Sequence, residues 1–419
     1  MNTMDTDTVS EAAAQSLHAK TICLVFEHAL AHYSRLIQEI EALQQTGASV
    51  VLLTAHEPNT GALGLETFIS PLFSSLGSST HPRRLPRILS NTVRTVIRGI
   101  WARFGTPRVS PQRLADLTVL SSSVDVFWVI DYPSLASTLS IAKQAGIPVI
   151  YEAVDLVAEY PYQGNRIRQR NVAAEKRLLR DIDGFITACD GYADYFVEVQ
   201  QAQRPFVRDN MPATTRTEIS PSRQPYRFLF FGSLMFDRPV IELIEGAAQS
   251  RTTPHIVFQG LNYRGQELQQ AIEARGLQDF VKVVDPCPPE EILDTVSAYD
   301  ISIVALYGND ENERRASTSK LFTSMAAGLA ILASDLPGIA RIVRQYENGL
   351  LVESMRASAW ARAFDEIQGL DPRQLDTLKQ QSLSGAAHHL WENQKEGFLE
   401  VFAQALQTTT QSEQAERLT

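Results

Sequence analysis

Residues 316–338 read Ala-Ser-Thr-Ser-Lys-Leu-Phe-Thr-Ser-Met-Ala-Ala-Gly-Leu-Ala-Ile-Leu-Ala-Ser-Asp-Leu-Pro-Gly. Ser317, Thr318 and Ser319 are helix-capping residues, and the free backbone N–H groups that follow them point at any approaching anion. Lys320 adds a full positive charge at the same place. Leu321, Phe322, Met325 and Ala326 recur at helical spacing, Gly328 ends the helix, and residues 329–333 form a short apolar run of the kind buried in a parallel sheet. A helix feeding a buried strand is half of an α/β unit, and a lysine at the helix start is a way to hold a phosphate.

The same alternation runs outward in both directions. A strand over Thr21–Phe26, a helix over Ser34–Gln45 with apolar Leu36, Ile37, Ile40 and Leu43, and a strand over Ser49–Thr54 make one strand-helix-strand unit. It returns at 126–130, 134–144 and 148–151, then as a helix at 172–180 and a strand at 184–187. A polar, proline-bearing stretch at 216–225 follows, after which the pattern restarts with 227–231, 240–248, 255–259, 281–284, 301–306 and 350–352. The expected class is α/β with two Rossmann-like parallel-sheet domains. Residues 1–19 read as a disordered tail, 20–207 as the N-terminal domain, 208–225 as a linker and 226–385 as the C-terminal domain. Residues 386–406 read as a C-terminal helix packing back on the N-terminal domain, and 407–419 as a second tail.

Composition sets limits. A chain of 419 residues, 44% apolar and 21% charged, is long enough for two cores. Its formal charge of -10 excludes general nucleic-acid binding, which wants a basic surface. The three cysteines, Cys23, Cys189 and Cys287, are scattered and fit neither a disulfide framework nor a zinc site, so a reducing, cytoplasmic setting is expected. No apolar run reaches the length of a membrane span, and the first residues are acidic where a signal peptide is basic.

Several segments, in order, resemble the family 4 glycosyltransferases. Residues 34–43 with Gly47 resemble that family's first helix and the turn after it. Ile130-Asp131-Tyr132-Pro133 and residues 142–152 resemble its acceptor-side strand, helix and following strand, with Asp155 and Glu159 where acidic residues are common. Residues 175–180 and 182–187 resemble the helix and strand that close the first domain, Asn210-Met211-Pro212 the entry to the linker, and 316–338 the donor-binding helix. The resemblance implies the GT-B architecture, two Rossmann-like domains facing across a cleft. It also implies sugar transfer from a nucleoside diphosphate donor, retaining and independent of metal. No cofactor is expected besides the nucleotide sugar, and the acceptor is a glycan, a lipid-linked molecule or a protein.

On the donor side, Gly232 ends the first strand of the second domain, so backbone can approach a ligand there. The family usually has two basic residues around this loop, and here Ser233 stands at the first position and Arg238 at the second. Arg238 and Lys320 are expected to dominate diphosphate binding, since charge-assisted hydrogen bonds of roughly 1.5–3 kcal/mol exceed a helix-dipole contribution of about 0.3–1 kcal/mol. Thr318 and Ser319 supply the helix start, and Pro286 and Cys287 fall where the family lines its nucleobase pocket. The family's two glutamates, eight positions apart, are replaced by Arg315 and Thr323. Thr323 is left to hydrogen-bond the donor sugar, and Glu311 or Glu313 is placed to supply an acid from the preceding loop.

On the acceptor side, Glu27 and His28 follow the first strand and Asp131 follows the strand at 126–130. Each is a candidate to position or deprotonate an acceptor hydroxyl. Asp181 and Asp183 form a carboxylate pair in the wrong place for metal binding, and no metal is expected. Between Glu66 and Asp116 no acidic residue occurs, while Arg83, Arg84, Arg87, Arg94, Arg98, Arg103, Arg108 and Arg113 accumulate. A helix over 83–104 would place arginines opposite apolar residues, which gives an expectation of peripheral contact at the inner membrane surface. The alternatives are a catalytically silent homologue that binds a partner or a glycan, motivated by Ser233, Arg315 and Thr323, and a sugar-nucleotide epimerase.

Overall fold

The computed structural model describes residues 6–28, 33–55, 63, 65–69 and 109–417. The arginine-rich stretch at 83–104 lies outside the described residues. The chain divides into two compact units. One holds the residues up to Ala188, Tyr192–Arg208 and the chain from Lys395, and the other holds Cys189–Gly191 and Asp209–Gln394.

The first unit opens with α1 (Thr6–Leu17), β1 (Thr21–Phe26), α2 (Ser34–Gln45), β2 (Ser49–Thr54) and β3 (Glu66–Ile69). It continues with α3 (Pro111–Leu120), β4 (Val126–Ile130), α4 (Tyr132–Ala145), β5 (Val149–Ala153), α5 (Asn165–Leu178), β6 (Gly184–Thr187), α6 (Asp190–Glu198) and β7 (Phe206–Val207). The seven strands lie in the order β3-β2-β1-β4-β5-β6-β7, all parallel. β4 and β5 are buried along their whole length, which is why they read as continuous apolar runs rather than as alternation. Beneath them sits a polar cluster with almost no water contact. Arg35 donates to Glu152 at 3.0 Å and pairs with Glu39 at 3.1 Å, Arg208 approaches Glu39 at 3.3 Å, and the Trp128 indole donates to Glu152 at 2.9 Å.

The second unit comprises β8 (Arg227–Phe231), α7 (Val240–Gln249), β9 (His255–Gln259), α8 (Glu267–Glu273), β10 (Val281–Val284), α9 (Ile292–Ser297) and β11 (Ile301–Val304). There follow α10 (Glu311–Arg315), α11 (Ser319–Ala326), β12 (Ala330–Ser334), α12 (Pro337–Tyr346), β13 (Gly349–Val352), α13 (Ala357–Gln368) and α14 (Pro372–His388). Its sheet is parallel, in the order β10-β9-β8-β11-β12-β13. Tyr226, Phe228, Phe230, Trp360 and Phe364 anchor one core face, each burial contributing about 1.5–3 kcal/mol. The last helix, α15 (Lys395–Arg417), belongs to the first unit, where Phe398 and Phe402 meet the Trp128 ring edge-on at 5.7 and 5.5 Å.

Three boundaries differ from the sequence expectation. Residues 6–17, read as tail, form α1, whose Ala13 and Leu17 stand four apart and are buried. The composition hides this helix because its apolar face has a partner, α15, almost four hundred residues later. Residues 407–417, also read as tail, continue α15. The stretch read as a linker is bonded into the second unit, with the Arg216 amide donating to the Ala326 carbonyl at 2.8 Å and the Ser222 amide to Asp376 at 2.9 Å.

Both sheets share one topological property that places function. The strand order reverses between β1 and β4 in one unit and between β8 and β11 in the other. In open parallel sheets the connections leave in opposite directions at such a switch point, opening a crevice at the strands' carboxyl ends. Glu27, His28 and Asp131 follow β1 and β4, while Gly232 to Arg238 follow β8.

Candidate active site

The candidate site of the second unit is built around a contact between Gly232 and Lys320. Gly232 has φ +111°, in the range that favours glycine, and its amide donates to the Gln259 carbonyl at 2.8 Å. A Cβ there would lie 2.3 Å from Lys320 Cε and 3.0 Å from Nζ, so the lysine side chain is laid directly over the glycine backbone. Gly260 makes the same demand one strand over, since a Cβ on it would fall 1.8 Å from the Gly232 carbonyl oxygen. Lys320 arrives there because Thr318 caps α11, accepting the Leu321 amide at 3.4 Å, and Ser324 ties that helix to β11 through the Ser302 hydroxyl at 2.6 Å. The Lys320 ammonium has no hydrogen-bond or ion-pair partner among the described residues. Burial, then the neighbouring Arg238 guanidinium, push its pKa down from 10.5 to about 8.

Arg238, in contrast, is paired. It donates to Glu313 Oε1 at 2.8 Å, and Glu313 Oε2 accepts from the amides of Gly308 and Asn309 at 3.0 and 3.2 Å. Asp310 caps α10 by accepting the Glu313 amide at 2.7 Å, which fixes the carboxylate in register. Glu311 pairs instead with Arg315 at 2.9 Å. Gly232, Ser233, Gln259, Gly260, Pro286 and Cys287 line a hollow of about 190 Å³ at the carboxyl ends of β8, β9 and β10. Thr323 is half-buried on α11 and Ser319 is exposed at its start, while Ser317 donates to the Gly338 carbonyl at 3.1 Å and serves the fold.

Sequence reading missed Arg264, which holds this loop from behind, and Tyr307 near it. Arg264 donates to the carbonyls of Met235 and Phe236, both at 3.2 Å, and the Tyr307 hydroxyl donates to Glu242 at 2.8 Å. Burial and that carboxylate push the Tyr307 phenol up to about 12. The available signal was Asn262-x-Arg264-Gly265 directly after a strand, an Asx turn that aims an arginine back along the sheet edge.

On the other unit, Glu27 is engaged by the buried Arg113 guanidinium and by the Ser134 hydroxyl. Arg113, counted in the basic stretch, is therefore interior. His28 is exposed and lies parallel to the Tyr33 ring at 6.1 Å. Asp131 has φ +61°, unusual for a residue with a side chain, and its Oδ1 accepts from the Val154 and Asp155 amides at 3.0 and 3.2 Å. Burial and the adjacent Asp155 hold its carboxyl well above the ordinary 3.8. Asp183 accepts the Val149 amide at 2.8 Å, and with Asp181 it borders a groove of about 440 Å³. That groove is larger than the hollow at Gly232, but it opens at the amino end of β5, the wrong edge for switch-point chemistry. Among the described residues no three metal-ligating side chains stand together, and no helix is long and apolar enough to cross a membrane.

Known proteins resemble this chain in sequence and in fold. Residues 35–208 match the model described as a glycosyl transferase 4-like domain, and residues 225–368 the one described as glycosyl transferases group 1, together about three quarters of the chain. The chain belongs to the family 4-like glycosyltransferases of the GT-B fold. A D-inositol 3-phosphate glycosyltransferase of Nocardia farcinica is 28% identical over 131 residues, 31% of this chain and 28% of that protein. Its counterpart in Corynebacterium urealyticum is 26% identical over 150 residues, 36% of this chain and 34% of that protein. The matched stretch thus spans about a third of those relatives' length. Anabaena HepE in complex with UDP superposes with a TM-score of 0.68 at 14% identity, covering 93% of this chain and 100% of that one. Sucrose-phosphate synthase from Thermosynechococcus elongatus gives 0.64 at 17% identity, covering 96% and 100%.

Proposed function

We propose that this chain transfers a sugar from a nucleoside diphosphate donor to a hydroxyl acceptor, with the diphosphate held by Lys320 and Arg238 over Gly232. The observation that carries this reading is the ammonium of Lys320 laid across the Gly232 backbone at the switch point of the second sheet. As the bond between the anomeric carbon and the diphosphate breaks, negative charge grows on the leaving oxygen. Two cations and the amides at the start of α11 are preorganised to stabilise it. On this reading no metal ion is needed, and the family resemblance implies retention. The hollow bordered by Pro286 and Cys287 takes the nucleobase, and the HepE complexes with UDP and UDP-glucose make uracil the first base to test. The acceptor is a glycan, a lipid-linked molecule or a protein. A reducing, cytoplasmic setting suits the free cysteines, of which Cys23 is buried with its thiol pushed up to about 12.

Calorimetric titration with UDP, GDP, ADP and CDP is the direct test. One of them is expected to bind in the micromolar range, and Arg238→Ala to weaken it at least tenfold, the loss of one charge-assisted contact. Binding of none of the four by the unmodified protein would refute the reading.

Asp131 is proposed to meet the acceptor hydroxyl, with His28 beside the same sheet edge. Its raised pKa makes the carboxylate a stronger base than an exposed aspartate, and its strained backbone aims it from the end of β4. Asp131→Asn keeps the size and the acceptor oxygen for the Val154 and Asp155 amides. It is expected to lower turnover by a factor of about 10² or more while leaving nucleotide affinity unchanged. Normal turnover in this variant would remove Asp131 from the chemistry.

A further inference from the structure

We infer that Arg264 is a positioning residue for the donor site, a clasp that fixes the 235–238 loop in the shape that presents Arg238; this rests on the donor reading above. One guanidinium serves three of that loop's four carbonyls, while the Asp237 carbonyl accepts from Arg238 at 3.2 Å. The Arg264 Nε donates to the Met235 carbonyl at 3.2 Å, and its Nη2 to the carbonyls of Phe236 at 3.2 Å and Arg238 at 3.5 Å. Nη1 donates to Glu267 at 3.0 Å, which holds the head group from the far side. The guanidinium also stacks on the Phe236 ring, 4.9 Å from its centroid. The Arg264 side chain is 7% exposed, whereas the Phe236 that it supports is 67% exposed. A ring so exposed has little packing of its own to hold it, so the loop's conformation depends on the arginine beneath.

The clasp is itself built. Asn262 Oδ1 accepts the Arg264 amide at 3.0 Å and its Nδ2 donates to the Gly265 carbonyl at 2.9 Å, so the turn after β9 is set before Arg264 reaches across. Leu234 and Asn262 form a parallel bridge that keeps the two loops side by side. The consequence for an anion is electrostatic. Carbonyl oxygens repel a diphosphate, and three in this loop are turned onto a cation instead, leaving the Arg238 side chain as the loop's contribution to the site. A lysine could hold one of these carbonyls but not all three, because it lacks the planar fork.

The test is Arg264→Met, with Arg264→Lys as the conservative variant, both in the full chain. Amide hydrogen exchange of residues 236–238 is expected to speed up at least tenfold in Arg264→Met and less in Arg264→Lys. Affinity for the nucleoside diphosphate selected by calorimetry should fall about tenfold, while affinity for the corresponding nucleoside, which lacks the phosphates, stays the same. Unchanged exchange in the loop would overturn the clasp. An equal loss of nucleoside and nucleoside diphosphate would overturn the positioning role in favour of general loosening. If no nucleotide binds the unmodified protein, the donor reading falls and the role with it, while the exchange rates still report whether Arg264 holds the loop.

Discussion

Replacing Lys320 by methionine is expected to weaken nucleoside diphosphate binding by ten- to a hundredfold and, at the same time, to raise the melting temperature of the ligand-free protein at neutral pH. The first effect is the loss of a charge-assisted contact worth roughly 1.5–3 kcal/mol. The second follows from what the ligand-free fold does to the lysine. Its pKa falls from 10.5 to about 8 because burial desolvates the ammonium and Arg238 faces it, although the side chain keeps partial solvent access. Between these values the unfolded chain binds more protons than the folded one, so stability rises with pH across that window and the full penalty is present below about pH 8. The shift corresponds to a penalty on the order of 2 kcal/mol once partial solvent access to the ammonium is allowed for. Methionine keeps the stem and removes the charge, and so relieves that penalty. Binding should carry the opposite pH signature. Diphosphate affinity of the unmodified protein is expected to fall as pH rises from 7 to 9.5, while Lys320→Met shows a flat profile. A flat profile in the unmodified protein would place Lys320 away from the phosphates. A lower melting temperature in the variant would make it a stabilising residue instead.

Lys320 was legible in the sequence because everything that places it is local. Thr318, the apolar stripe and Gly328 define one helix, and residues 330–334 the strand that follows, all within about twenty positions. What lies opposite it was legible only in part. Gly232 could be read from its place after a strand, but that Arg238 is held by Glu313, 75 residues away, depends on how β8 and β11 neighbour each other. Parallel strands leave no local trace of strand order, since the crossover helices look alike whichever neighbour they serve. The same reason hid Arg264 and Tyr307. Glu27 shows the limit from the other side: its position after β1 suits catalysis by sequence, yet the side chain is engaged by Arg113, a residue whose apparent role was to extend a basic surface. Helix α1 was misread because its apolar face is narrow and its partner, α15, lies at the other end of the chain.

Glu152→Gln is expected to destabilise the first unit by about 3 kcal/mol, at the low end of the 3–5 kcal/mol seen when one partner of a buried ion pair is removed. Glu152 is fully buried, and it accepts from Arg35 and from Trp128. Glutamine can keep one acceptor for these donors but not the charge. The cost stays at the low end because a second carboxylate is present: Glu39 lies 3.1 Å from Arg35 and 3.3 Å from Arg208. Burial and Glu152 both push the Glu39 pKa up, so removing the Glu152 charge lets Glu39 ionise more readily and take over part of the pairing. The two sites are therefore coupled, and the double variant Glu39→Gln/Glu152→Gln should cost more than the sum of the single changes. This network also bears on function through the backbone, since the Asp131 amide donates to the Glu152 carbonyl at 2.9 Å and Glu152 stands opposite Ile130 in the sheet register. Scanning calorimetry should show the first unit's transition moved down in Glu152→Gln, with nucleoside diphosphate affinity, which the proposed function assigns to the second unit, unchanged. A shift corresponding to less than about 1 kcal/mol would mean that the Glu152 charge is dispensable to the network. The aspartate at the end of β4 would then owe its strained geometry to the turn alone and not to the charges beneath it.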